Sequence, residues 1–225
     1  SHKANVERLI FLGSSCIYPK NCSQPIKEEY LLTSKLEPTN RPYALAKIAA
    51  KEMCWSHNRQ FNTKYLAAMP TNLYGPNDNY DLENSHVLPA LIRKIHEANI
   101  KDHPTVEIWG SGTPKREFLY SDDLADALIH LMNLSDDLFK QLVAPKNCPI
   151  INIGSSKDLT IAELAILIKQ TVKYNGNFIF DNTKSDGTAR KLMDSEKIRQ
   201  FGWSPKISLK KGINLAYKNF LCKTS

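Results

Sequence analysis

The chain of 225 residues is 42% apolar and carries 30 Lys and Arg against 23 Asp and Glu, a net charge of +7. That length and apolar content suffice for a full core, in one domain or in a domain with a smaller lobe. No run approaches the roughly 18 uninterrupted apolar residues of a membrane span, and polar Ser1 to Arg8 lacks the apolar stretch of a secretion signal, so the chain reads as cytoplasmic without a membrane partner.

Cys16, Cys22, Cys54, Cys148 and Cys222 are scattered, with no C-x-x-C pair and no His/Cys cluster at ligand spacing, which reads as free thiols and no metal site. The basic residues are interspersed with acids and never form a run, so no nucleic-acid partner is expected. They suit either a solvated surface or a set converging on a diphosphate-bearing ligand.

Leu9 to Gly13 is a short apolar run ending in Gly, as expected of a strand buried on both faces in a parallel sheet, with Ser14-Ser-Cys16 at its carboxyl edge. Polar, proline-rich Pro19 to Pro42 reads as a long excursion. Tyr43 to Arg59 is expected to be a helix, and Lys64 to Met69 a strand that stops at Pro70 and opens a loop to Pro76. A helix follows from about Ser85 to Ala98, with Val87, Leu88, Leu91, Ile92 and Ile95 on one stripe. Val106 to Trp109 and Glu117 to Tyr120 read as strands of a hairpin around Gly110-Ser-Gly112. Asp122 to Leu134 is expected as a helix, Ile150 to Ile153 as a strand, Ile161 to Val172 as a helix, Phe178 to Phe180 as a strand, and Leu209 to Phe220 as the last helix.

Strands alternating with helices predict an α/β fold, a Rossmann-like doubly wound parallel sheet with a smaller C-terminal α/β lobe. A dinucleotide fold opens with a strand, a glycine-rich turn and a helix whose amides meet the pyrophosphate, and no segment here has that pattern. If Leu9 to Gly13 is the fourth strand of the sheet, three βα units would precede it, and the chain would be the later part of a longer protein.

Tyr43-Ala-Leu-Ala-Lys47 sets a phenol and an ammonium one helical turn apart on one face. A cation beside a phenol favours its ionised form, so such a pair can exchange a proton with a carbonyl or hydroxyl, although an exposed helix pair has the same spacing. Ser14 and Ser15 strengthen the chemical reading, because open α/β sheets bind ligands outside the carboxyl ends of their strands. Taken alone, Cys16 reads as a small buried filler and His86 as a polar residue at a helix start, ahead of any catalytic role.

A resemblance rests on seven strings in order: Gly13-Ser-Ser-Cys-Ile-Tyr-Pro-Lys20, Arg41-Pro-Tyr-Ala-Leu-Ala-Lys47, Pro70-Thr-Asn-Leu-Tyr-Gly-Pro76, Ser85-His-Val-Leu-Pro-Ala90, Trp109-Gly-Ser-Gly112, Arg116-Glu-Phe-Leu-Tyr-Ser-Asp-Asp-Leu-Ala125 and Asp186-Gly-Thr-Ala-Arg-Lys191. From about Arg8 to Phe220 the chain resembles the GDP-L-fucose synthase family of extended short-chain dehydrogenases/reductases. The resemblance implies NADPH-dependent conversion of GDP-4-keto-6-deoxy-D-mannose into GDP-L-fucose, by inversion of the third and fifth carbons and then reduction of the ketone. It implies Tyr43 as proton donor, Lys47 as its electrostatic partner and ribose anchor, Ser14 as a carbonyl-orienting hydroxyl, and Cys16 with His86 as the epimerising acid and base.

The resemblance further implies NADP contacts at Leu12, Gly13, Ser14, Ser15, Lys47, Pro70, Thr71, Asn72, Leu73 and His86, and GDP-sugar contacts at Lys94, Trp109, Arg116 and Asp186. Residues 1–80 would then belong to the NADP-binding domain and 81–225 mainly to the substrate lobe, with about 115–155 returning to the first. Two positions depart from the family pattern: Lys94 stands where Arg is common, giving a point charge in place of a bidentate fork, and Ser185 where Pro is usual. The family implies a homodimer built on the Tyr/Lys helix. Another nucleotide-sugar 4-epimerase or dehydratase remains an alternative, as does a GDP-sugar-binding piece without catalysis.

Overall fold

The computed structural model describes residues 1–224. In chain order its elements are β1 (Arg8–Leu12), α1 (Arg41–Phe61), β2 (Lys64–Pro70), β3 (Asn72–Tyr74), α2 (Val87–Ile100), β4 (Thr105–Trp109), β5 (Lys115–Tyr120), α3 (Ser121–Met132), α4 (Asp136–Val143), β6 (Ile150–Ile153), β7 (Asp158–Thr160), α5 (Ile161–Val172), β8 (Asn177–Asp181), β9 (Arg190–Lys191), α6 (Glu196–Gln200) and α7 (Leu209–Thr224). They form two compact units. The first comprises Ser1–Asn72, Asp122–Ser156 and Leu192–Lys206; the second comprises Leu73–Ser121, Lys157–Lys191 and the chain from Ile207 onward. The fold is α/β, and the first unit holds a parallel sheet of the Rossmann type.

In the first unit the sheet order is β1-β2-β6, all parallel, with Leu12 opposite Ala68 and Pro70 opposite Ile153. The central strand β2 is buried from Tyr65 to Pro70, which explains its continuous apolar run. Expected to be buried on both faces, β1 is instead only half-buried, and Leu12 is 45% exposed. Its position at the edge of this sheet, with β2 as its one strand partner among the described residues, accounts for the difference.

Helix α1 packs on β2, and Asn58, itself buried, fastens the two: its amide donates to the Tyr65 carbonyl at 2.8 Å and accepts from the Tyr65 amide at 2.8 Å. Ile17, Ile26, Ile48, Met69 and Met193 close the core beneath. Between Pro19 and Asn40 the chain forms short 3-10 turns at Glu28–Tyr30 and Pro38–Asn40 and one bridge from Ile26 to Met193, and α1 takes up Arg41 and Pro42.

In the second unit β5 lies between β3 and β7 and also pairs with β9, while β4 and β8 form a separate parallel pair. The expected hairpin of β4 and β5 is therefore absent. Strand β4 finds five register partners in β8, from Thr105 opposite Asn177 to Trp109 opposite Asp181, whereas β5 runs antiparallel to β7. Gly110 and Gly112, at φ 81° and 74°, turn the chain between them, and the Gly112 carbonyl accepts from Ala162 at the start of α5. The loop expected at Pro70 to Pro76 includes β3, which joins this sheet.

Helices α2, α5 and α7 cover the second core. On α2, Leu88, Leu91, Ile92, Ile95 and Ala98 recur at helical spacing and are buried with Val106, Leu164 and Ile168. Thr160 begins α5 with a capping box, its hydroxyl accepting from the Glu163 amide while the Glu163 carboxylate accepts from the Thr160 amide at 2.7 Å.

Asp136, at the start of α4, ties the beginnings of the first two strands. Its carboxylate accepts from Arg8 at 2.6 Å and Lys64 at 2.8 Å, and those two residues are register partners. The hydrogen bonds from Lys64 and then Arg8 hold the carboxyl down to about 2 from its ordinary 3.8. Because the folded value is depressed, this stabilisation is complete above the ordinary value and is lost as pH falls toward about 2. Urea midpoints followed across that window should fall more steeply for the wild type than for Asp136→Asn; parallel curves would contradict the linkage.

Candidate active site

The first unit gathers Ser14, Cys16, Tyr43 and Lys47 around the end of β1. The Gly13 amide donates to the Ala68 carbonyl at 2.8 Å, extending the parallel ladder one residue past the strand. A Cβ at Gly13 would collide with the end of the Met69 side chain, which would have to shift to admit one. Ser14 is extended, and its hydroxyl accepts from the Cys16 amide at 3.2 Å, capping a single 3-10 turn over Ser15–Ile17. Ser15 and Ile17 point into the core at 3% and 0% exposure, and Ser14 and Cys16 stay half-exposed.

The turn is anchored from below by four residues that sequence reasoning did not single out. The Tyr18 hydroxyl donates to Asn152 Oδ1 on β6 at 2.6 Å, with both residues buried. Asn152 completes its bonding by donating its side-chain amide to the Ile26 carbonyl and its backbone amide to Glu28 Oε1, each at 2.9 Å. Burial, and then the Glu28 charge, push the Tyr18 phenol well above its ordinary range. Burial likewise raises the Glu28 carboxyl, opposed by the Asn152 amide. The available signal was Tyr18 itself, an aromatic with a polar tip in a run that otherwise enters the core.

Tyr43 lies in the first turn of α1, behind Pro42, whose fixed φ suits a helix start. Its ring is half-exposed. One turn on, the Lys47 ammonium donates to the Leu12 carbonyl at 2.9 Å and lies 5.2 Å from the Phe11 ring centre and 5.6 Å from that of Tyr43. The Tyr and Lys are thus brought together at the end of β1. Another turn on, Lys51 is buried against Cys148 Sγ at 3.2 Å and the Glu52 carboxylate, which fixes the rotation of the helix about its axis.

Pro70 ends β2, with Thr71 and Asn72 after it, at the same carboxyl edge of the sheet where Leu12 ends β1 and Gly13 to Ser15 follow. The Thr71 amide donates to the Ile153 carbonyl at 3.0 Å.

The remaining expected residues lie in the second unit. His86 is the N-cap of α2, exposed, and its ring makes no capping bond. Lys94, one helical stretch further, places its ammonium 4.7 Å from the Trp109 ring centre. Burial lowers its pKa, opposed by the Glu107 charge. The Asp186 carboxylate accepts from the Ser111 amide at 2.7 Å and the Ser111 hydroxyl at 2.8 Å, pinning the glycine turn after Trp109. A Cβ at Gly110 would meet that carboxylate. Arg116, on β5, donates to the Asp186 carbonyl at 3.4 Å, so Trp109, Arg116 and Asp186 form one neighbourhood. Ser111 is the member that sequence reasoning passed over.

Comparisons place the chain among known proteins. The model of the NAD-dependent epimerase/dehydratase family matches residues 1–154. A GDP-L-fucose synthase of Sinorhizobium fredii is 50% identical over 98% of this chain, which spans 67% of that relative. A GDP-L-fucose synthase of Escherichia coli K12 is also 50% identical over 98% of the chain, which spans 68% of it. Among solved structures, a GDP-mannoheptose C4 reductase of Campylobacter jejuni with NADP bound superposes with a TM-score of 0.87 at 37% identity, covering 98% of this chain and 72% of that one.

The residues expected to hold a dinucleotide fit such a group. Two parallel strand ends lie side by side, and Lys47 is fixed there by one of its three N–H bonds with two left to donate. Tyr18→Phe removes a 2.6 Å hydrogen bond and strands the Asn152 oxygen at 0% exposure. It should lower unfolding stability by about 1–3 kcal/mol, seen as a lower denaturant midpoint at unchanged slope. An unchanged midpoint would show that the anchor contributes nothing.

Proposed function

Because the chain belongs to the NAD-dependent epimerase/dehydratase family, and within it to the GDP-L-fucose synthases, we propose that it takes GDP-4-keto-6-deoxy-D-mannose to GDP-L-fucose with NADPH. The observation that carries the reading is the fixed ammonium of Lys47, bonded to the Leu12 carbonyl and 5.6 Å from the Tyr43 ring centre. An ammonium held there stands beside the phenol whose proton would pass to an oxygen that is gaining electrons.

NADPH, when bound, supplies the hydride that reduces the C4 carbonyl carbon. Tyr43 donates the proton to O4, and the Ser14 hydroxyl orients that oxygen. The strand-end segments Leu12 to Ser15 and Pro70 to Leu73 bind the dinucleotide, together with Lys47 and His86. Inversion at a carbon beside a ketone requires removal of a proton from one face and return of a proton to the other. Cys16 and His86 are proposed for this exchange, Cys16 from the turn after β1 and His86 from the start of α2. Lys94, Trp109, Arg116 and Asp186 bind the GDP moiety. In Asp186 both carboxylate oxygens already accept from Ser111, so its role is to hold the turn that presents Trp109 while its remaining lone pairs meet the ligand.

The reading makes separable expectations. The wild-type protein, given the keto sugar and NADPH, should oxidise one NADPH per GDP-L-fucose formed. Tyr43→Phe should slow hydride transfer by about 10²-fold or more while deuterium from solvent still enters the third and fifth carbons. Cys16→Ser should do the reverse, suppressing deuterium entry with NADPH binding retained. Absence of substrate-dependent NADPH oxidation by the wild type would sink the assignment. Equal loss of both activities in each variant would sink the division of roles.

A further inference from the structure

Trp109 ends β4 and is 51% exposed, with two ammonium groups against its indole. Lys94 reaches it from α2 at 4.7 Å from the ring centre, and Lys184 reaches it from the turn after β8 at 5.5 Å. Through the shared ring, the two nitrogens can be no more than about 10 Å apart, roughly one screening length at 0.1 M salt, so their charges repel. Among the described residues, no carboxylate lies within ion-pair distance of either ammonium.

The placement of Lys184 is built into the local chain. β4 and β8 are parallel and in register, with Trp109 opposite Asp181, so residues after β8 emerge beside residues after β4. The Lys184 amide donates to the Asp181 carbonyl at 3.2 Å, and Thr183 bonds the Asp181 carboxylate through both its amide and its hydroxyl. That closed turn leaves the Lys184 ammonium 5.5 Å from the Trp109 ring centre on the neighbouring strand. Two residues on, Asp186 bonds the Ser111 amide and hydroxyl, so one short loop carries both Lys184 and Asp186 beside the turn that follows Trp109.

A ring quadrupole attracts a cation, at about 0.5–1 kcal/mol for an exposed pair, but it neutralises no charge. Glu107 acts on Lys94 and Asp181 on Lys184 only from beyond ion-pair distance, so neither ammonium is directly paired until an anion enters. A diphosphate carries distributed negative charge over a span that two ammonium groups can grip, and ammonium nitrogens bind it as point charges. A guanine base offers no such charge.

We propose that Lys184 is a diphosphate-binding residue, the second of two ammonium groups that Trp109 gathers for the nucleotide of the substrate. The proposal rests on the GDP-sugar reading above and adds to it a residue that restores, with a second point charge, the anion grip that a single lysine at position 94 gives without a bidentate fork. Trp109 then acts chiefly as the platform on which two lysines converge, rather than as a wall for the base.

Isothermal titration of the protein with GDP, with guanosine and with inorganic pyrophosphate tests this. Lys184→Met should weaken GDP by tenfold or more and weaken pyrophosphate, leave guanosine and NADP within twofold, and flatten the salt dependence of GDP binding. Lys184→Arg should recover most of the GDP affinity, because the charge returns. GDP affinity within twofold of wild type in Lys184→Met would overturn the proposal, as would an equal loss for guanosine. If the wild type binds GDP with this pattern but never turns over the keto sugar, the catalytic reading falls and the diphosphate assignment stands. If the wild type binds no GDP, both fall.

Discussion

The contact between the Lys47 ammonium and the Leu12 carbonyl is where the first unit turns from scaffold to chemistry. A strand-end carbonyl at the edge of a sheet has no ladder partner, and this one, on half-exposed Leu12, is open to a side-chain donor. The lysine satisfies it, and in doing so holds the first turns of α1 against β1. Tyr43 inherits its position from that clamp. Everything that supports the clamp works from further away: Asn58 fastens the other end of α1 to β2, Lys51 fixes its rotation, and the ladder continues through Gly13.

A second constraint acts on the other side of the same strand end. Ser14 and Cys16 stand on one 3-10 turn whose alternate residues are buried, so its orientation depends on what lies below it. That support is polar. Tyr18, Asn152, Ile26 and Glu28 form a chain of hydrogen bonds in which Asn152 uses its side-chain oxygen, its side-chain amide and its backbone amide. An apolar substitute could fill the space, but it would leave the turn free to slide along β6. Directional bonds fix a position in a way that packing alone does not.

These arrangements were unequally legible in the sequence. Helix α5 and strand β6 fall where the residues put them, because a capping Thr160 with Glu163 and a compact Ile150 to Ile153 run are local signals. The strings around Ser14, Tyr43 and Pro70 were legible for a similar reason, as each is continuous. Pairing was not legible. Val106 to Trp109 and Glu117 to Tyr120 look like hairpin partners across Gly110 and Gly112, but β4 prefers β8, some seventy residues away in the register. Nothing within β4 encodes that choice; it is decided by the cores of α2 and α5 that the two sheets cover. The exposure of Leu12 was hidden too, since an apolar run looks the same in a central strand and an edge strand. Side-chain partners at long range, such as Tyr18 with Asn152 and Ser111 with Asp186, have no one-dimensional signature at all.

The second unit shows how a departure at one position can be read only in three dimensions. Lys94 alone looks like a weakened version of an arginine, with fewer donors and less directional grip. In the structure it shares an indole with Lys184, and the pair offers two separately placed charges where a guanidinium would offer one planar fork. Two ammonium groups on different elements can follow an anion that shifts during reaction, at the cost of greater mutual repulsion when it is absent. The parallel register of β4 with β8 makes that exchange feasible, because residues that follow β8 emerge beside Trp109 at the end of β4.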